Sequence, residues 1–336
     1  MFVYFLRRLP GLFLVVLGMS VVMFVISRAV PTDPALAVAG PEATPEMVEN
    51  IRREMHLDKP LVVQYFIYMK SLCKGDLGKS IESRRRVLDD ILDYMPATVE
   101  LVLASILFSV VLGIPLGVIS AVRQGKTADN VSRIISLIGI CSPVFWMGLM
   151  FQLLFYKHLG ILPFGGRLDL QLSPPATITG LYTIDSLITG NFSVFLNSLK
   201  HLILPAITMS NITLALTTRM TRSSLLDVLR EDYIRTARAK GLVERDVVYV
   251  HGLRNALIPV ATVVGLRVGT LLGGAVLTET VFAWPGIGRY AFKAIESMDF
   301  PVLMGFAIIV SFLYAFINLL LDILYMVLDP RMRPQT

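Results

Sequence analysis

Residues 101–122 read LVLASILFSVVLGIPLGVISAV, 22 positions without a charged side chain. A helix needs about 20 consecutive apolar residues to cross a bilayer, whereas a water-soluble core is built from shorter, interrupted runs. Further uncharged runs occupy 9–27, 134–156, 201–218 and 300–321. A sixth apolar stretch, 256–281, is long enough to span but carries Arg267 inside it and Glu279 near its end. The predicted fold class is therefore an all-α membrane protein of about six transmembrane helices.

Composition points the same way. Of 336 residues, 54% are hydrophobic and 17% charged, with a mean hydropathy of +0.67, whereas soluble domains carry about 25% charged residues. The net charge of +6 resides in Lys and Arg gathered at the ends of the apolar runs. No separate basic domain stands out, which argues against a nucleic-acid partner. Cys73 and Cys141 are too few and too far apart for a ligand cluster, and His201 and His251 have no second ligand at metal spacing, so no metal is expected. Arg7 and Arg8 precede the first run in the manner of a secretory leader, with Ala37-Val38-Ala39 as a cleavage-like site, but the run is too long for a leader's apolar region. It is expected to remain as the first helix.

Threading six spans from a cytoplasmic N-terminus puts Arg7, Arg8, Arg123, Lys126, Arg133, the cluster from Arg219 to Arg254, Arg331 and Arg333 on one side, as the positive-inside rule requires. Both termini are then cytoplasmic. The expected organisation is an N-terminal region and first helix over 1–30, an external segment over 31–95, a transmembrane core over 96–328 with a cytoplasmic loop at 219–255, and a cytoplasmic tail at 329–336. The external segment carries 9 basic and 11 acidic residues, and long loops cross largely regardless of charge. Within it Leu61, Val62, Tyr65, Phe66, Tyr68, Met69 and Leu72 recur at helical spacing, predicting an amphipathic helix on the membrane surface or packed against neighbouring helices. The stretch 157–200, rich in Gly and Pro, reads as a loop. Pro115 and Pro143 inside spans predict kinks.

The loop at 219–255 is longer than a turn requires. Ser223 or Ser224 could cap a new helix with Asp227 in its first turn, continuing through Glu231-Asp232-Tyr233-Ile234-Arg235-Thr236-Ala237-Arg238-Ala239-Lys240 and ending at Gly241. Ala237 and Gly241, four apart, would leave a notch on one face, ringed by Glu231, Asp232, Arg235, Arg238 and Lys240. A docking element and a solvated loop are both compatible with this pattern.

The same stretch, Asp232 to Leu242 followed by His251-Gly252-Leu253-Arg254-Asn255-Ala256-Leu257-Ile258-Pro259, resembles the cytoplasmic coupling motif of ABC importer permeases, E-A-A-x3-G, in the form found in peptide and nickel permeases. Arg235 stands where the general motif has Glu, and Pro259 lies farther from Gly241 than the general pattern places it. Leu6-Arg7-Arg8-Leu9, Pro31-Thr32-Asp33-Pro34, Leu57-Asp58-Lys59-Pro60, Gly75-Asp76-Leu77-Gly78, Phe145-Trp146-Met147-Gly148, the run Leu277 to Arg289 and Asp329-Pro330-Arg331-Met332-Arg333 extend the resemblance, over the whole chain, to the B-subunit type of dipeptide permease.

The resemblance implies the type I ABC importer permease fold in the bacterial cytoplasmic (inner) membrane. It further implies a homologous second permease subunit, two cytoplasmic ATP-binding subunits and an extracytoplasmic substrate-binding protein, with membrane lipid around the spans. ATP and Mg would sit on the partner ATPases, since the chain has no G-x-x-x-x-G-K-[ST] phosphate loop. This chain would bind no cofactor and carry no catalytic residue. Glu231, Asp232, Tyr233, Arg235, Ala237, Arg238, Lys240 and Gly241 would couple to the ATPases. The substrate would be a dipeptide or short peptide, with oligopeptides, glutathione, nickel chelates or haem as alternatives within the same machinery.

Candidate path residues come from the cost of intramembrane charge. Arg267, among Gly265, Gly269, Gly273 and Gly274, either lines the path and attracts a peptide carboxylate or pairs internally, with Asp322 as a partner. Glu279 either contacts a peptide amino group or holds an outer gate through Thr280, or else caps the interface beside Trp284. An ion-coupled secondary transporter would need more intramembrane carboxylates and inverted repeats, and a membrane enzyme would need clustered catalytic groups.

Overall fold

The computed structural model describes residues 2–29, 34–40 and 43–328, with the side chains of 2–9, 34, 37 and 322–328 outside that description. Pro31, Thr32, Asp33, the tail 329–336 and the side chains of Arg7, Arg8 and Asp322 thus lie outside the described residues. The helices in chain order are α1 (Phe2–Ala29), α2 (Pro34–Ala39), α3 (Pro45–Glu54), α4 (Leu61–Cys73), α5 (Val87–Val122), α6 (Thr127–Cys141) and α7 (Val144–Phe151), the last continued by a π-helical stretch, Gln152–His158. There follow α8 (Tyr182–Ile188), α9 (Phe192–Val228), α10 (Asp232–Ala239), the short α11 (Glu244–Asp246) with a π-helical turn Val247–Gly252, α12 (Leu253–Val281), α13 (Ile287–Glu296) and α14 (Phe300–Leu328).

Among the described residues, five helices are long and apolar enough to cross a membrane: Pro10–Ala29, Val87–Val122, Phe192–Val228, Glu244–Val281 and Phe300–Leu321. The sixth expected span is bent. Thr127–Cys141 and Val144–His158 meet at 111°, forming one broken span or a re-entrant pair. Proline disfavours the helical region for the residue before it and removes a donor; Ser142 is accordingly extended, with ψ of 130°. Pro143 is thus a break where the sequence reading expects a kink, while α5 runs unbroken through Pro115.

The chain divides into two compact units, one formed by 1–96 with 285–316 and the other by 97–284 with 317–336. In the first, Val87 and Ile91 at the start of α5 pack with Ile287 and Ala294 of α13 and Val302 of α14. Asp299 fixes the 80–82 turn by accepting from the Ser80 hydroxyl (2.7 Å) and the Ile81 amide (2.7 Å). Helix α4 turns Tyr65 and Tyr68 towards Phe24 of α1, and the Ser20 and Tyr65 hydroxyls are 2.9 Å apart. Neighbour packing is therefore realised on that face, while Leu61, Val62 and Phe66 stay exposed.

In the second unit α9 is the central element, packed by α12, α6, α8 and α7. Close approach in a membrane relies on small residues, and α5 supplies Gly113 and Gly117. A Cβ at Gly117 would stand 2.7 Å from the Thr218 carbonyl oxygen of α9. Helix α6 buries Ser132, Ser136 and Gly139 on one face, and a Cβ at Gly139 would meet Asn211 of α9.

The stretch 157–200, expected to be a loop throughout, is irregular only over 159–181 and 189–191: its first two residues end the π-helical stretch, 182–188 form α8 and 192–200 begin α9. The irregular part 159–181 is held by buried polar contacts. Burial pushes the Asp185 carboxyl up, but hydrogen bonds from the Thr179 hydroxyl and from the amides of Thr179, Ile178 and Gly180 outweigh it and hold the group below its ordinary value. His201 lies inside α9 and is buried. Its Nε2 is 3.0 Å from Asp169 Oδ1 and its Nδ1 2.9 Å from the Gly165 carbonyl. The Asn197 amide and His201 in turn depress the Asp169 pKa.

Candidate coupling surface

Helix α9 does not end near Ser223 and Ser224. It continues to Val228, so no cap forms at either serine, and the new helix begins only after the turn through Leu229, Arg230 and Glu231. The cause lies in tertiary packing: Leu225 is fully buried against Val118, Ala121, Val248 and Ala256. That burial favours helix over any local hydroxyl cap.

Helix α10 starts at Asp232, whose carboxylate suits the positive end of the helix dipole. It closes in a Schellman motif. The Gly241 amide donates to the Arg238 carbonyl (2.9 Å) and the Leu242 amide to that of Ala237 (3.4 Å), with Gly241 at φ +78°. Arg238 then grips Glu244 through Nη2 (2.7 Å) and Nε (3.1 Å), tying α10 to α11.

The expected notch is not there. Ala237 faces inward, packed with Ile234 and Val247 against Val228 and Leu229. Gly241 lies beyond the helix with open space where a Cβ would be. The other coupling candidates, Glu231, Asp232, Tyr233, Arg235, Arg238 and Lys240, are all exposed on the outer side of α10. Asp232 and Arg235 pair at 3.1 Å while both are well exposed, a contact worth little in water.

Two features of this surface escape the sequence reading. Leu242, Val243, Tyr249 and Val250 are exposed beside the charged ring, so the loop presents apolar anchors as well as charge. Asn255 at the foot of α12 donates to the Tyr233 hydroxyl (2.7 Å), tying α10 to a span. The two apolar clusters share Val228 and Leu229. Packing is therefore continuous from Ile234 through Leu225 to Val118 of α5 and Ala256 of α12. Arg222 closes the base: its Nε and Nη2 bind the two Asp129 oxygens (2.7 and 2.8 Å), and Ser120 donates to Oδ1 (2.5 Å).

The path candidates do not converge. Arg267 and Glu279 are 12 residues apart on α12, about 18 Å along the axis, so one small group cannot bridge them. Arg267 is half-buried and makes no ion pair among the described residues, on a helix whose Leu266, Thr270, Gly273, Gly274 and Leu277 are exposed. The partner named for it, Asp322, has its side chain outside the described residues. Glu279 is buried, accepting from the Thr98 hydroxyl of α5 (2.6 Å). It joins α12 to α5 beneath Trp284, whose Nε1 donates to the Ala97 carbonyl (2.8 Å). That burial removes Glu279 from contact with a peptide amino group. The Thr280 hydroxyl is taken by the Val276 carbonyl (2.8 Å).

No cluster of three or more potential metal ligands occurs among the described residues.

Residues 113–334 match the family described as binding-protein-dependent transport system inner membrane component, and residues 1–104 match its N-terminal companion. The chain is 50% identical over 325 residues to the probable D,D-dipeptide transport system permease protein of Escherichia coli strain K12, covering 97% of this chain and 96% of that protein. It is 45% identical to the dipeptide transport system permease protein of Alkalihalophilus pseudofirmus, covering 99% and 100%. To the glutathione transport system permease protein of Escherichia coli O6:H1 it is 38% identical, covering 98% of each.

Proposed function

Because the chain belongs to the binding-protein-dependent transport system inner membrane component family, we propose that it is the membrane-spanning permease subunit of an ATP-driven importer for dipeptides or other short peptides. The protein is multi-pass and of the type I ABC permease fold. In this reading it works beside a homologous second permease, two cytoplasmic ATPases that hold ATP and Mg, and an extracytoplasmic binding protein that delivers the peptide. Both termini and the 219–255 loop face the cytoplasm.

The observation that carries the coupling role is the platform from Asp232 to Val250. It is charged and apolar outside, and inside it is packed without interruption onto three long helices. ATPase closure moves the platform as a solid piece, and that movement turns the spans between inward- and outward-facing arrangements. The experiment is uptake of labelled dipeptide into vesicles holding the complete transporter. Transport is expected only with ATP and binding protein together; transport driven by an ion gradient without the ATPases would overturn the assignment.

Gly241 separates contact from backbone. A side chain there meets open space but a left-handed conformation that costs about 1–2 kcal/mol for a residue with a Cβ. Gly241→Ala, which carries the backbone cost alone, is expected to lower uptake by about five- to thirtyfold, and Gly241→Trp to lower it well beyond that at normal membrane level, by obstructing the docked ATPase. Equal loss in the two variants would assign the effect to the backbone alone.

Arg267 supplies the path's cation. Arg267→Gln should raise the KM for dipeptide by about tenfold with ATP hydrolysis intact, because one charge-assisted hydrogen bond to the peptide carboxylate is lost. An unchanged KM with a lowered thermal midpoint would make the residue structural.

A further inference from the structure

We propose that Arg133 and Arg219 hold the headgroup of an anionic phospholipid in a groove between α6 and α9. The groove, of about 630 Å³, is lined by Asn130, Arg133, Ile134, Leu137 and Arg219.

Both arginines stand at the edge of an apolar run. Arg133 immediately precedes 134–156 and Arg219 immediately follows 201–218. Side chains at these boundaries meet the headgroup layer, where basic pockets between helices receive anionic lipids.

The nearby carboxylate cannot neutralise them. Asp129, one turn before Arg133, would ordinarily pair with it across four residues. Its oxygens are taken instead by Arg222, the Ser120 hydroxyl and the Gly125 amide (2.9 Å). Among the described residues neither Arg133 nor Arg219 makes an ion pair, so two guanidinium groups face one groove without a counter-charge.

The groove's other lining suits acyl chains. Ile134 and Leu137 are 57% and 60% exposed, and Ile135 and Ile138 carry the same outward face along α6. Ser132, Ser136 and Gly139 point the other way and are buried. A cationic end followed by a purely aliphatic wall matches phosphate followed by hydrocarbon, whereas a protein partner would meet no polar group along that wall to fix its register.

The test uses the complete purified transporter and native mass spectrometry after exchange into phosphatidylglycerol or phosphatidylethanolamine. Wild type is expected to retain phosphatidylglycerol preferentially, and Arg133→Gln with Arg219→Gln to weaken retention about twenty-five-fold, roughly fivefold for each cation removed. Arg133→Lys with Arg219→Lys should keep most of it. Equal retention of the two lipids, or undiminished retention by the double Gln variant, would overturn the site. So would displacement of the lipid by millimolar inorganic phosphate, which would identify a soluble-anion site. A photo-crosslinker at Leu137 should capture lipid; capture of another subunit would overturn the proposal in favour of a protein interface.

Discussion

Ile234→Asp is expected to reduce ATP-driven dipeptide uptake at least a hundredfold while the protein still inserts and accumulates in the membrane. Ile234 is fully buried on the inward face of α10, with Ala237, Val247, Val228 and Leu229. Removing a buried isoleucine costs about 2–5 kcal/mol, and an unpaired carboxylate in that place adds its own desolvation cost. The spans do not depend on this residue, since their contacts run through α9 to α5, α6 and α12. The loss should therefore be confined to the platform, and about 2.7 kcal/mol already corresponds to a hundredfold change in its docked population. ATPase activity should persist but no longer respond to binding protein. Ile234→Val, which removes one methyl, should cost about 0.5–1.5 kcal/mol and leave transport within about tenfold. Uptake by Ile234→Asp at more than half the wild-type rate would sink the view that the platform moves as a solid piece.

Nothing in the local sequence marks Ile234 as the residue that seats the platform. Ile234 and Ala237 are three apart and share a face, so an inward Ile carries Ala237 inward with it. Reading Ala237 together with Gly241 as an open notch gives weight to size alone; the bulky neighbour decides which way the small residue points. The cap at Ser223 or Ser224 fails for a related cause, because the total burial of Leu225 keeps α9 helical past a local hydroxyl signal. The apolar runs, by contrast, transfer well, since exclusion of charge over about 20 residues is a requirement of the solvent and not of any partner element. What run length cannot reveal is an uncharged break. Ser142 and Pro143 interrupt the third run, 134–156, without adding a charge to it, and only the restriction that proline places on its predecessor marks the spot. Side-chain pairs distant in sequence leave no local trace at all, and Thr98 with Glu279, 181 positions apart, is one of them.

The most consequential of these distant pairs gives the second large effect. Arg167→Ala should lower stability by about 3–5 kcal/mol, read as a fall in thermal midpoint and in yield of intact protein, because it strands a buried carboxylate. Glu100 on α5 is buried and accepts from Arg167 Nη2 (2.5 Å) and from the Thr183 hydroxyl and amide (2.7 and 2.8 Å). The guanidinium also donates to the Gly180 carbonyl (2.9 Å) and lies 3.7 Å over the Tyr182 ring. One planar cation thus joins the 159–181 loop, α8 and α5. Lysine cannot present the same stacked fork, so Arg167→Lys should recover less than half of the loss. Glu100→Gln with Arg167→Met removes both charges and keeps most of the volume; it should be more stable than either single variant, since a buried pair costs most when only one partner remains. A double variant no better than Arg167→Ala would mean that the stacking on Tyr182, and not the compensation of Glu100, holds the loop in place.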